Sequence, residues 1–305
     1  MTTAPIKLGP GLYHDMPMTD YLRVEGVNHS LLKEMFRSPA HYLYAKTAPP
    51  SEPSEAMTLG TAVHLLSLEP ELFGARVVEM PDFTIGLLDP DGKEYKNPRN
   101  TSEYRRRVEA HTANHPGAMI LPMDEYRKVF TMADAIRRHK TAGRYSAMPG
   151  RVEVTIVWRD PETGILCKGR IDKLIEGKPL GYDIKTTRDA NIDAFNRAVA
   201  SFGYHSQAAW YRRGLRVLEL GDIDIDLVVV ENVPPYGVRV GPIDDDSIAI
   251  GAARCDAALR RIRQCEESGA WPGYDGDDLT VFGLPEWEKK RLGGVAEEVG
   301  NGDGE

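Results

Sequence analysis

CKGRIDKLIEGKPLGYDIKTT, residues 167–187, reads as two strands joined by the turn Glu-Gly-Lys-Pro. Both arms are rich in β-branched residues, and the turn carries the Gly and Pro that a hairpin needs. Asp172 lies on the first arm, with Asp183 and Lys185 on the second. Positions two apart on a strand point to one face, so Asp183 and Lys185 lie side by side at the end of an apolar strand. Tyr182 and Ile184 face the other way, and Leu174 and Ile175 indicate a hairpin covered on both sides. Buried acids and a buried lysine are costly unless they pair or hold a metal. Carboxylates on neighbouring strands can hold a hard divalent cation between them. A surface hairpin with an Asp–Lys cross-strand pair is the plainer alternative.

On either side of this hairpin the pattern changes in blocks. VEVTIVW (152–158) has the same period of two and is joined to the hairpin by RDPETG. After it come a helix over about 203–219, the strands DIDLVVVEN and GVRVGPI, and a long helix over 247–268. Before it the chain is helical. Residues 28–47 read as two short helices broken at Ser38-Pro39, AMTLGTAVHLLSLEP as a helix that Pro70 ends, and 81–118 as loop with a short Arg-rich helix. PMDEYRKVFTMADAIRRHK forms an amphipathic helix with a stripe of Tyr126, Val129, Phe130, Ala133 and Ile136. Helices, a block of strands, a helix and further strands predict an α/β (α+β) fold with a central mixed sheet flanked by helices. The expected organisation is one domain over 1–292. Its N-terminal helical part spans about 12–150, a sheet core about 151–245, and a C-terminal helix with closing segment about 246–292. A disordered acidic tail is expected over 293–305.

The chain has 305 residues, 41% hydrophobic and 28% charged, which suits a globular protein with a sizeable core. Cys167, Cys255 and Cys265 are too scattered for a disulfide framework or a Cys/His metal cluster, and point to reduced thiols in packed positions. No apolar run reaches membrane-spanning length and the N-terminus has no signal-peptide core, so a cytoplasmic protein without a membrane partner is expected. The net charge of −8 argues weakly against nucleic acid. The acid is concentrated late, however, while YRRRVE, AIRRHK and WYRRGLR are basic, so charge alone leaves the question open.

Two further features join the hairpin. LGTAVHLLSL places His64 one helical turn after Gly60, and YHSQAAWY places Gln207 and Tyr211 four apart on one helix face. A lone helical histidine is commonly a core residue, and the Gln/Tyr pair says little by itself. Gly-x-x-x-His, Arg-Ile-Asp, Asp-Ile-Lys-Thr-Thr and Gln-x-x-x-Tyr in this order form a set. That set resembles the PD-(D/E)xK nuclease superfamily in its RecB-like branch, and most closely the RecE-type (exodeoxyribonuclease VIII-like) exonuclease domain of phages and prophages. YHDMPMTDYL, HSLLKEMFRSPAHYLY, GTAVHLLSLEPELF, GYHSQAAWY and WPGYDGDDLTVFGLPEWEKKR extend the likeness over about residues 12–291. Two departures stand out. Relatives with an iron–sulfur cluster carry Cys-Pro where this chain has Ser38-Pro39, so no such cluster is expected. Asp183 also replaces the superfamily's commoner glutamate.

The resemblance implies a restriction-endonuclease-like core and a Mg²⁺- (or Mn²⁺-) dependent deoxyribonuclease. Asp172, Asp183, the backbone carbonyl of Ile184 and His64 would hold one or two ions, activating water and stabilising the scissile phosphate. Lys185 would orient or deprotonate that water, with Gln207 and Tyr211 positioning the lysine, the water or a phosphate oxygen. Glu153 is a candidate second-metal acid or a solvent-facing strand-end acid, and Arg170 either meets the DNA backbone or pairs with Asp172. Ser30, Lys33, Arg37 and Ser38 are candidates for a 5′-phosphate, with caps and solvated charges as the alternative. The resemblance further implies a 5′→3′ exonuclease on linear duplex that makes single strands for annealing-type recombination. A homo-oligomeric ring (trimer or tetramer) around DNA and a single-strand annealing partner would go with it. Another nuclease type (endonuclease, single-strand or helicase-associated) and a catalytically silent DNA-binding module are the competing readings. The intact Asp172/Asp183/Lys185 set argues against the silent module.

Overall fold

The computed structural model describes residues 4–49, 54–89, 91–274 and 279–291. The expected acidic tail over 293–305 and the hinge residues 50–53 lie outside them. The chain forms two compact units, Met1–Trp271 and Pro272–Glu305. The second has a helical turn over 286–291 that carries Lys289–Glu286 and Arg291–Glu288 ion pairs.

The first unit opens with β1 (Gly11–Tyr13), α1 (Met18–Arg23), α2 (His29–Met35) and α3 (Pro39–Thr47). Asn28 caps α2 by accepting the Leu31 N–H at 2.8 Å. Ser38 caps α3, with Pro39 in its first turn. Side-chain oxygens thus meet donors that the helices leave unpaired. The expected break at Ser38-Pro39 is this junction. α4 (Glu55–Leu68) follows Ser54, and Pro70 both ends it and opens α5 (Pro70–Arg76). A proline lacks the N–H a helix interior needs but fits a first turn.

Next come β2 (Val77–Met80), α6 (Ser102–Asn114) and β3 (Met119–Pro122). β2 and β3 pair in parallel, Val77 with Met119 through Met80 with Pro122. Four-residue strands are too short to show a period, and these two flank the stretch 81–118 expected as loop with a short Arg-rich helix, which is α6. α7 (Met123–Arg138) buries Val129, Met132 and Ile136. This corrects the expected stripe: Met132 replaces Ala133, and Phe130 stays 45% exposed. The Phe130 ring instead packs edge-on against Phe73, centroids 5.3 Å apart, because the helix turns its i, i+3, i+7 line to the core. α8 (Lys140–Ala147) was not read from the sequence.

The central sheet is built from β4 (Gly150–Arg159), β5 (Leu166–Ile175), β6 (Leu180–Thr187), β7 (Asp224–Glu231) and β8 (Val238–Gly241), with β1 on its edge. The order is β1-β4-β5-β6-β7-β8. All neighbours are antiparallel except β6 and β7. The parallel crossover holds α9 (Ile192–Phe202) and α10 (Tyr204–Val217), and α11 (Asp245–Ser268) ends the unit. Gly203, in the left-handed region at φ 73°, separates α9 from α10. α9 is a helix the sequence reading missed. The fold is therefore α/β with a mixed sheet flanked by helices.

Helices α2, α3, α10 and α11 share one core with the sheet, around Trp158, Trp210, Leu32 and Ile262, and α4, α7 and α8 share a second, around Val63, Met132, Tyr182 and Ile184. Gly214 lets α10 sit tight on the sheet, since a Cβ there would come within 2.7 Å of Ile156. Truncating a buried tryptophan such as Trp158 costs about 3–5 kcal/mol in cores of this kind, which gives the site a rigid floor. No helix among the described residues is long and apolar enough to cross a membrane.

Candidate functional site

β5 and β6 pair only at Lys173–Tyr182 and Leu174–Gly181. Continuing that register by one step sets Asp172 opposite Asp183, where the strands part. Parting frees backbone groups that a buried site must satisfy in another way. The Ile184 N–H donates to Asp172 Oδ2 at 2.6 Å. Asp183 pairs with Lys185, the side-by-side arrangement the strand period implies. The Lys185 ammonium also donates to Gln207 Oε1 at 2.8 Å, and Gln207 Nε2 donates to the Tyr211 hydroxyl at 3.0 Å.

His64 reaches the same place from α4. Gly60 faces the end of β6, where a Cβ would lie 3.4 Å from Thr186 Oγ1, at the edge of ordinary van der Waals contact. His64 Nε2 lies 2.8 Å from the Ile184 carbonyl, and Nδ1 lies 3.2 Å from Asp172 Oδ2. A carbonyl only accepts, so Nε2 carries the proton and neutral His64 turns the Nδ1 lone pair toward Asp172. Two acceptors then face each other across a gap that needs a proton or a cation.

Glu153, from β4, completes the cluster. Ligand atoms of His64, Glu153 and Asp172 all lie within 4.8 Å of one another. This donor set, two carboxylates and an imidazole nitrogen with Asp183 close by, fits a divalent cation. Burial, then the Asp183 and Glu153 carboxylates, push Asp172 well above the usual carboxylate range. Burial lowers His64. Burial also pulls Lys185 down, but Asp183 and Asp172 outweigh it and hold the lysine above its ordinary value. The Tyr211 phenol is raised by burial.

Arg170 pairs with Glu153 rather than Asp172, and donates to the Met16 carbonyl at 2.8 Å. The residues expected at a DNA end lie on α2 and its junction with α3. Ser30 is exposed, Lys33 is half-buried with its side chain beside Gly203, and Arg37 pairs with Glu34 at 2.9 Å. Ser38 is buried, its hydroxyl 2.6 Å from His41 Nδ1 and taking the His41 N–H at 3.3 Å. It is engaged as a cap. Tyr204, which the sequence reading did not single out, places its ring under the Lys185 ammonium at 4.7 Å. Its signal was present: it lies three residues before Gln207, on the same helix.

A family model described as "PDDEXK-like domain of unknown function (DUF3799)" matches residues 28–278. No curated protein matches the chain. A crystal structure described as "Putative exonuclease" from Eubacterium rectale is similar with a TM-score of 0.53 and 13% identity, covering 88% of this chain and 94% of that one. At that identity the likeness is one of fold. A second, described as "SSO0001", reaches a TM-score of 0.28 at 13% identity over 81% of this chain and 87% of that one, too low to carry an argument.

Proposed function

The chain belongs to the family of PDDEXK-like domains, a nuclease fold, and from that premise we propose that it is a Mg²⁺- or Mn²⁺-dependent exonuclease acting 5′→3′ from the ends of linear duplex DNA. The observation that carries this reading is the fork where β5 and β6 part, with Asp172, Asp183 and Lys185 at its mouth and His64 and Glu153 closing it.

A divalent cation held there supplies charge that acidifies water and offsets negative charge on the phosphate. Asp172, Glu153 and the neighbouring Asp183 would bring the carboxylates that hold it, and His64 would offer Nδ1. Lys185, kept above its ordinary range, remains an ammonium at neutral pH and places positive charge beside the phosphate as the transition state forms. Gln207 fixes that ammonium and is itself held by Tyr211, so the charge needs no reorganisation during reaction. Lys33 and Arg37 meet the 5′-phosphorylated end. The protein works as a ring of three or four copies around the duplex, of the RecE type, and delivers single strands to an annealing protein. A ring explains how an acidic chain holds DNA, since positive charge need line only the channel.

The test is digestion of 5′-phosphorylated linear duplex, covalently closed circular duplex and single strands in Mg²⁺, with the particle mass from light scattering. Linear duplex should be shortened while circles survive, and the mass should exceed that of one chain. A monomer that nicks circles as fast as it shortens linear DNA refutes the exonuclease and favours an endonuclease.

A further inference from the structure

Glu153 has a backbone no other strand residue shares. Among the described residues it is the sole non-glycine strand position with positive φ, at 51°. The ladder stays in register on both sides of it, Val152 with Lys173 and Val154 with Ile171, and is interrupted only where Glu153 faces Asp172. A left-handed glutamate inside a strand is strained, and such strain persists only where surrounding contacts over-determine it. Those contacts come from Arg170. Its Nε donates to the Glu153 carboxylate, and its Nη1 donates to the Met16 carbonyl at 2.8 Å and to Thr155 Oγ1 at 3.3 Å. The guanidinium also lies over the Tyr21 ring at 5.7 Å. The Arg170 and Glu153 side chains are only 10% and 18% exposed. A planar guanidinium anchored on a backbone carbonyl, a hydroxyl and a ring has a fixed plane, and this gives its Nε–H one direction.

We propose that Arg170 is a positioning residue for the cation site, holding the Glu153 carboxylate as a third ligand beside Asp172 and His64. The inference rests on reading that cluster as a cation site. It runs against simple charge counting, because a fixed arginine beside a cation opposes binding of that cation. Arg170 therefore strengthens binding only through the geometry it imposes on Glu153, and this gives the proposal its own signature. The anchor at Met16 further ties the segment before α1 to the metal site, through one side chain.

The experiment is calorimetric titration of Mn²⁺ into the full chain, with thermal melting as the check on folding. Arg170→Gln should weaken Mn²⁺ binding by about tenfold or more, the size expected for loss of a group that orients a metal ligand. Arg170→Lys should weaken it similarly, because charge survives but the fork does not. In a Glu153→Gln background, Arg170→Gln should leave affinity unchanged or raise it, since only the repulsive charge remains to be removed. Folded Arg170→Gln protein that binds Mn²⁺ as tightly as wild type, or more tightly, overturns the inference while leaving the cation site in place. Wild-type protein that binds no Mn²⁺ overturns both. If Arg170→Gln does not fold, Glu153→Gln decides alone. It keeps the arginine with its Met16 and Thr155 contacts, and wild-type affinity in that variant overturns the proposal.

Discussion

Lys168 and Lys185 of the central sheet, the first buried and the second half-buried, are held in opposite ways. Among the described residues, Lys168 on β5 has no carboxylate partner. Its ammonium donates to the backbone carbonyls of Tyr21 at 2.8 Å and Val24 at 2.6 Å, and burial lowers its pKa to about 8. Lys185 on β6 pairs with Asp183 and Gln207, and the neighbouring acids hold it above its ordinary value. Burial is thus no mark of function by itself. Lys168 closes the turn after α1 onto the sheet, with every donor spent on structure. Lys185 sits among acids that exceed what the fold needs, and that surplus negative charge is what makes the second place a site.

The largest expected effect separates the acids from the rest of the core. Asp172→Ala and Asp183→Ala should each lower Mg²⁺-dependent cleavage by about a thousandfold or more while the protein stays folded. A folded variant that cleaves near the wild-type rate removes the site assignment. Lys185→Ala comes next, with a loss of about 10²–10³ in turnover and Mn²⁺ and DNA binding retained, because its charge acts mainly in the transition state. Lys168→Met should do the converse. It removes the ammonium donor from the Val24 carbonyl and leaves the Tyr21 carbonyl with the Val24 N–H at 3.2 Å, and should cost about 1–3 kcal/mol of stability, read as a fall in Tm, with turnover of the folded fraction kept. If Lys168→Met instead lost turnover at unchanged Tm, the contrast between the two lysines would fail.

Their pH dependence sharpens the same contrast. Asp172 is raised in the folded state, so its contribution to stability is full below the ordinary carboxylate range and is lost as pH rises through the raised value. Metal-free protein should lose Tm at this site as pH rises above the ordinary carboxylate range, and Mg²⁺ should restore more at higher pH, where it displaces less proton. Lys168 has the opposite sign. With a folded value of about 8 against 10.5 unfolded, its contribution grows as pH rises between those values. A Mg²⁺-induced Tm shift larger at pH 5 than at pH 8 would contradict the assignment of Asp172. The smallest effect is at the DNA end. Arg37→Ala, and less so Lys33→Ala, should slow initiation on 5′-phosphorylated ends by about two- to fivefold, the scale of an exposed charge, with elongation unchanged in single-turnover digestion.

Much of this was legible in the chain itself, because it is local. Period two over 152–187, the caps Asn28, Ser38 and Ser54, and the i, i+4 pair Gln207/Tyr211 depend on neighbours within a few residues. The same holds for the Asp183/Lys185 pair, since a strand places residues two apart on one face whatever surrounds it. What the sequence could not show is which distant groups meet. Arg170 had open alternatives, and the choice of Glu153 depends on a left-handed residue on the adjacent strand and on Met16, 154 positions away. His64 and Ile184 are separated by 120 residues, and only the packing of α4 on β6 joins them. Met132 takes the core place read for Ala133, because the amphipathic pattern tolerates a small rotation that the facing side chains then settle. The residue types and spacings therefore determined the strands, the helices and the chemistry on offer. Tertiary packing alone decided which carboxylate joins Asp172 and His64, since contacts across long loops follow the sheet's register and the helices' approach, and neither is written in any local window.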